Sequence, residues 1–400
     1  KRYCKDKYCD VHMRTPDTYI YFISLGEKLL KKNSPLSYIT PNNLLYQNEC
    51  EKTRKLFLDK NIIEDIINLG DNAFEDASVP TGIFRVKNIN KDEYSFEYRD
   101  YREIPLNEIN WETHKVKNLT KKEMLMIPSY VFGIDSANLN IMKKIQDNSL
   151  RISDIEKEVA AGISTGCNDA FRVNVQFAKD NNFETELLKP LLIGENINKY
   201  NLNYSDLLII YSTKKSNTNN QVNIIQHINQ YREKLEKRRE TKNGSIPYWA
   251  LHWPRNPELF ENNKILIRQT SDSIIAAYDK SNYYALNSLL IFQRNEECEY
   301  SYEFILGILN SRLTNYVYKN LTQESGRAFS EVKPINVKKL FIPKMNKEQQ
   351  SVIENLVVKI INNKKDNLNY DSSDEEGKID EIIYNFYKLE PNEIKIVQSI

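Results

Sequence analysis

Apolar side chains at Tyr19, Phe22, Ile23, Leu29 and Leu30, with Gly26 between them, recur every three or four positions. That spacing predicts one face of an α-helix. Thr15-Pro16-Asp17 ahead of it reads as the helix start: a capping hydroxyl, a proline at the first helical position and an acid in the first turn. Lys28, Lys31 and Lys32 suit its negative end. A short β-rich run, Leu36 to Ile39, is closed by Thr40-Pro41. A helix over about 48–60 follows, then strands over 62–69 and 79–86. The spacer 70–78 is short enough for those two strands to be antiparallel neighbours. The order α-β-α-β-β predicts an α/β fold, the trailing part of a Rossmann-like doubly wound sheet that closes with a hairpin. Five such elements are too few for an autonomous domain, so the expectation places the rest upstream.

Residues 88–125 are polar and charged without a long apolar run, and the pattern sets a domain boundary near 125/126. Beyond it short strands (207–211, 264–268, 274–278) alternate with loops rich in Asn, Ser and Thr. Helices are expected at 226–239, 302–318 and 347–361, the last with one apolar face from Val352 to Ile361. An acidic loop at 371–376 and a final helix at 378–388 complete a mixed α+β region with C-terminal helices.

Composition sharpens this. The chain has 400 residues but 11 glycines, the nearest pair being Gly162 and Gly166. No G-x-G and no G-x-x-x-x-G-K-[ST] exists, so no nucleotide-phosphate loop is present. No run is long and apolar enough to span a membrane, and Lys1-Arg2-Tyr3-Cys4 lacks the apolar core of a signal peptide. Five scattered cysteines fit a reducing cytoplasm. Cys4, Cys9 and His12 are too few and too loosely spaced for a zinc site, and no metal is expected. The net charge of +1 hides a partition: residues 189–344 hold 22 basic against 15 acidic side chains, and 351–400 hold 6 against 10. A basic middle suits a polyanion-binding surface.

Several strings then occur in a familiar order: Asp17-Thr-Tyr-Ile-Tyr-Phe22, Leu36-Ser-Tyr-Ile-Thr-Pro41, Phe74-Glu-Asp-Ala-Ser-Val-Pro-Thr-Gly-Ile83, Gly162-Ile-Ser-Thr-Gly-Cys-Asn-Asp-Ala-Phe171, Leu188-Lys-Pro-Leu-Leu-Ile-Gly-Glu-Asn-Ile-Asn-Lys-Tyr200, Ile308-Leu-Asn-Ser311 and Ile379-Asp-Glu-Ile-Ile-Tyr-Asn-Phe-Tyr-Lys-Leu389. Together they resemble the γ-class adenine-N6 DNA methyltransferases, including type IIG restriction–modification enzymes with a TaqI-like specificity domain. The resemblance implies that 1–125 is the end of a catalytic domain and 126–400 a DNA target-recognition domain. It departs at Thr18, where the family usually has Leu, and at Ser34-Pro35, where glycine is common.

The family's S-adenosylmethionine loop and its [ND]-P-P-[YF] motif precede the helix of Phe22, and this sequence has no adjacent prolines. The expectation is therefore a C-terminal portion that transfers nothing alone and depends on the upstream half of the same polypeptide, to which an endonuclease domain can also be joined. By resemblance Phe22 and Pro41 border the adenine of S-adenosylmethionine, and Phe74 stacks on the adenine flipped from double-stranded DNA. Phe22 reads equally well as core from the helix pattern. The residues of the second region suggest DNA contacts in their own right. Thr165, Gly166, Asn168, Asp169 and Arg172 form a small polar loop. Arg238 and Arg239 lie in a basic run, followed by Trp249, Trp253 and Arg255. Lys199, Lys264, Arg268 and Arg327 are single cationic candidates. The alternative function is a non-catalytic specificity module of a multi-subunit restriction or phage-defence system.

Overall fold

The computed structural model describes residues 2–14, 16–70, 73–74, 79–102, 104–111, 116–133, 136–322 and 331–399. It forms two compact units. The first comprises Lys1–Asp147, Asn320–Gln323 and Leu389–Ser399, and the second Asn148–Lys319 and Glu324–Lys388, with Ile400.

In the first unit the helix Thr18–Leu29 begins two residues later than the sequence pattern suggested. Asp17 caps it, its carboxylate accepting from the Thr18 backbone N–H at 2.7 Å. Ile20, Ile23 and Ser24 turn inward, whereas Phe22 is 61% exposed, so the pattern placed Phe22 on the wrong side. The strands are β1 (Pro35–Pro41), β2 (Ile62–Gly70), β3 (Thr81–Lys87), β4 (Ser95–Asp100) and β5 (Val116–Thr120), in the order β1-β3-β2-β4-β5. The β2–β3 pair is the expected antiparallel hairpin, while β2 and β4 run parallel. The helix Glu51–Lys60 covers the sheet, with Phe57 against Phe84 at 4.7 Å between ring centroids.

Two strands went unforeseen in the polar stretch after residue 88. Along β4, Phe96 and Tyr98 are buried while the residues between them are not. Alternation of that kind is a half-buried strand, here hidden by its charged outer face. The division at Asp147 also lies beyond the boundary drawn near 125. Ile127, Val131, Phe132 and Leu139 are buried in the first unit's core.

The second unit contains β6 (Ser149–Arg151), β7 (Glu156–Ala161), β8 (Arg172–Asn174), β9 (Leu188–Leu192), β10 (Ile197–Asn198), β11 (Asn201–Leu202), β12 (Leu207–Ile210), β13 (Lys264–Arg268), β14 (Ala276–Asp279), β15 (Tyr284–Ala285), β16 (Leu289–Arg294) and β17 (Phe341–Pro343). Two four-stranded sheets, β15-β9-β12-β8 and β14-β13-β16-β7, share one core that includes Phe171, Leu191, Ile209, Leu266 and Ile291. The helix expected over 226–239 is instead three short pieces, Val222–Asn229, Arg232–Glu236 and Arg239–Lys242. The one expected over 302–318 is interrupted at Ser311, whose hydroxyl bonds to Ile308 O at 2.7 Å. The presumed acidic loop is largely the first turn of helix Ser373–Phe386. Asp374, Glu375 and Glu376 there complement the positive end of its dipole.

Candidate nucleic-acid interface

The polar loop after β7 is built against two other segments. Ile163 bridges Leu286 in parallel, and Ser164 bridges Trp253 antiparallel. A Cβ on Gly162 would come within 2.3 Å of Ala285 O, so only glycine lets the chain approach this closely. Gly166 sits at φ +74°, and a Cβ there would lie 2.8 Å from Arg238 Cδ. Thr165 is buried: its hydroxyl donates to Asn168 Oδ1 at 2.7 Å and accepts from Cys167 N at 3.1 Å. Thr165 therefore shapes the loop with its hydroxyl turned inward, contrary to the sequence expectation, while Gly166 sits exposed at the turn.

Beyond the turn, Asn168 and Arg172 are exposed and open onto a cleft of about 460 Å³. Arg268, Asn287 and Ser288 line the same cleft, with Glu195 as an acid on its wall. Arg268 is steered by Ile197 O and by Asn198 Oδ1 at 3.3 Å, while its Nε is buried without an acceptor. Asn287 and Ser288 were not singled out in the sequence. They enter through the turn between β15 and β16, whose position is fixed by Asn287 N donating to Ile163 O at 2.9 Å. Nothing short of the pairing of these distant segments could have located them.

On the other side of the Ser164–Trp253 bridge lies a larger cleft, about 740 Å³, lined in part by Trp253, Arg255, Lys189, Lys214 and Lys215. Trp253 is 55% exposed. Lys189, Lys214 and Lys215 were missed in the sequence. Lys214-Lys215 lies shortly after β12, which ends at Ile210, and would have been visible as a paired cation near a strand terminus.

Arg238 and Lys264 have structural work instead. Arg238 donates its five N–H groups to the carbonyls of Leu235, Thr165, Ala250, Pro247 and Tyr248, leaving none for a phosphate. Burial also lowers its pKa. Lys264 is fully buried, 2.6 Å from Asp279 and also donating to Phe260 O. Burial pushes its ammonium pKa down while Asp279 pulls it back up. A buried lysine of this kind is held by its carboxylate and is closed to DNA. Lys199 lies 3.3 Å from Glu376, and Asp169 3.3 Å from Lys234. Trp249 packs on the core. Arg239 is exposed at the start of its short helix. Arg327 lies outside the described residues.

In the first unit Phe74 is 51% exposed between β2 and β3. Pro41 ends β1 opposite Thr81, the first residue of β3, which also pairs with Gly70 at the end of β2. Beneath this end of the sheet, Asn42 Nδ2 donates to Asn68 Oδ1 at 3.1 Å, and Tyr46 donates to Asn42 Oδ1 at 2.9 Å. The helix of Phe22 crosses β1 with Gly26 against Leu36 and Tyr38. Among the described residues no group of three or more His, Cys, Asp or Glu is placed to hold a metal, and no helix is long and apolar enough to cross a membrane.

Comparison with known proteins gives this arrangement a class. Residues 189–342 match the TaqI-like C-terminal specificity domain, and residues 1–74 match the Eco57I restriction-modification methylase family. The two matches fall in the order that the sequence strings implied. Its fold is similar to that of the type IIL restriction-modification enzyme MmeI, solved in complex with DNA: TM-score 0.57, 14% identity, covering 96% of this chain and 52% of that one. The chain therefore spans about half the length of that structure. A weaker likeness is to the type IIG restriction endonuclease BpuSI, with TM-score 0.37, 12% identity and coverage of 94% and 50%.

Proposed function

We propose that the chain recognises a specific sequence in double-stranded DNA for an adenine-N6 methyltransferase of a restriction–modification system. The observation that carries this reading is the cleft where Asn168, Arg172, Arg268, Asn287 and Ser288 converge from separate stretches of chain. Arginine suits the paired acceptors of guanine, and asparagine the donor and acceptor of adenine. The cations of the neighbouring cleft supply phosphate contacts, which fix register without reading sequence.

The exposed faces of Phe22 and Phe74 support the roles implied for them. An aromatic ring open to solvent on a rigid element offers a platform for a purine. Phe22 and Pro41 would border the adenine of S-adenosylmethionine, which supplies an electrophilic methyl group when bound. Phe74 would stack on the target adenine once it leaves the duplex, offsetting part of the unstacking cost. No two prolines adjoin in this sequence, so the family's catalytic motif is missing and the 400-residue chain by itself transfers no methyl group.

The test is enrichment of duplexes from a randomised library by the full chain. The expected result is a defined sequence motif, with Arg172→Ala and Arg268→Ala each relaxing one position of it. Absence of both a motif and duplex binding would overturn the reading.

A further inference from the structure

The larger cleft has features that phosphate contact alone does not require. Its wall is an exposed indole on an unusually fixed backbone: Trp253 N donates to Ser164 O at 2.8 Å, and Ser164 N to Trp253 O at 3.1 Å. Two residues on, Arg255 holds φ at +64°, a region that is strained for a residue with a side chain. That conformation is clamped from both sides. Tyr211 donates its hydroxyl to Arg255 O at 2.7 Å, and Arg255 Nε donates to Gly162 O at 3.3 Å. The guanidinium is thereby held at the cleft, with its two Nη groups making no hydrogen bond among the described residues.

Charge at this cleft is equally one-sided. Lys214 and Lys215 are exposed and, with Lys189, meet no carboxylate among the described residues. The acid lining the cleft, Glu186, already accepts from Gln221 at 2.9 Å. A flat π-surface, an apolar floor including Leu187 and Leu251, and unpaired cations nearby are complementary to a nucleobase with its phosphate. A base inside the duplex stack cannot present its face in this way, because its neighbours cover it.

We infer that this cleft is a second base-binding site, taking a nucleobase lifted out of the DNA stack onto Trp253, with its flanking phosphates on Lys214, Lys215 and Arg255. It is distinct from the Phe74 platform, which belongs to the other unit. The inference rests on the proposed duplex recognition and adds that one nucleotide is unstacked by the specificity domain itself. A base already unpaired costs less to seat, so the site favours duplexes that contain one.

The experiment compares binding of the full chain to a fully paired duplex and to the same duplex carrying one unpaired purine, using Trp253→Ala, Trp253→Phe and the Lys214→Gln/Lys215→Gln double variant. The expected result is about tenfold tighter binding of the unpaired-base duplex. That preference should vanish in Trp253→Ala and survive in Trp253→Phe. The lysine variant should weaken both duplexes together. Trp253 is exposed, so its loss should leave the fold intact, and urea unfolding checks this. Equal affinity for the two duplexes, or a preference that persists in Trp253→Ala, would overturn the second site while leaving duplex recognition standing. Failure to bind either duplex would overturn both.

Discussion

In the first unit three arginines in or beside the sheet are taken up by neighbouring carboxylates. Arg99 lies 2.9 Å from Asp65 and also contacts Glu97, Arg102 lies 2.7 Å from Asp100, and Arg85 lies 2.7 Å from Glu64. What that unit presents at its candidate positions is neutral aromatic surface, Phe22 and Phe74. In the second unit Lys264 and Arg238 are equally well satisfied, but Lys189, Lys214, Lys215 and Arg255 gather at one cleft with no carboxylate bound to them among the described residues. A surface that has neutralised its charges suits a purine ring, and one that has kept them suits a polyanion. Net charge could not show this, because a cation counts the same whether it is paired or free.

The sharpest way to break the distinction between held and free cations is Lys264→Ala. It leaves Asp279 buried without its partner and should cost about 3–5 kcal/mol in urea unfolding. Lys214→Gln should change stability by less than about 0.5 kcal/mol. A small effect at Lys264 would mean that the buried pair is not the support described.

Next in size is a pH effect on the packing of the helix Ser373–Phe386. Burial raises the Asp380 carboxyl from its ordinary 3.8 to about 6, despite the Arg312 backbone N–H at 2.9 Å and its guanidinium nearby. The folded chain then keeps a proton that the unfolded chain releases. Stability from this group is full below about pH 4 and is lost as pH rises through 6, at most about 3 kcal/mol in all. Urea midpoints should therefore lose this component of their pH dependence in Asp380→Asn, and an unchanged profile would contradict the assignment.

Phe74→Ala should lower methyl transfer to duplex DNA by the full polypeptide about tenfold, since base–aromatic stacking is worth roughly 1–3 kcal/mol. Undiminished transfer would remove Phe74 from the target-base platform. The smallest effect separates the two units directly. Lys214→Gln should reduce the slope of log K against log salt by roughly 0.9, one phosphate contact, whereas Arg85→Gln in the first unit should leave it unchanged.

Periodicity made β1, β2, β3 and β13 legible, because each is an apolar run bounded by turn residues. It missed β4, where Phe96 and Tyr98 alternate with charge, and it extended a helix through Gln230-Tyr231, where the chain turns instead. Among the candidate residues, Asn168 and Arg172 lay in a string whose glycines marked a close approach. Asn287 and Ser288 carried no such mark, since they are brought to the others by the Ile163–Leu286 bridge. Lys264 misled for a related reason. A lysine opening an apolar strand looks exposed in sequence, and only the register opposite Asp279 shows that it is inside.

The proposed grip on duplex DNA rests on the unpaired cations at one cleft of the second unit. Its most direct test is a salt titration of duplex binding by the full chain and by a variant with Lys189, Lys214, Lys215 and Arg255 all changed to Gln. The account predicts a linear fall of log K with log salt whose slope is smaller in the variant by roughly 3 to 4. Equal slopes for the two proteins would contradict it.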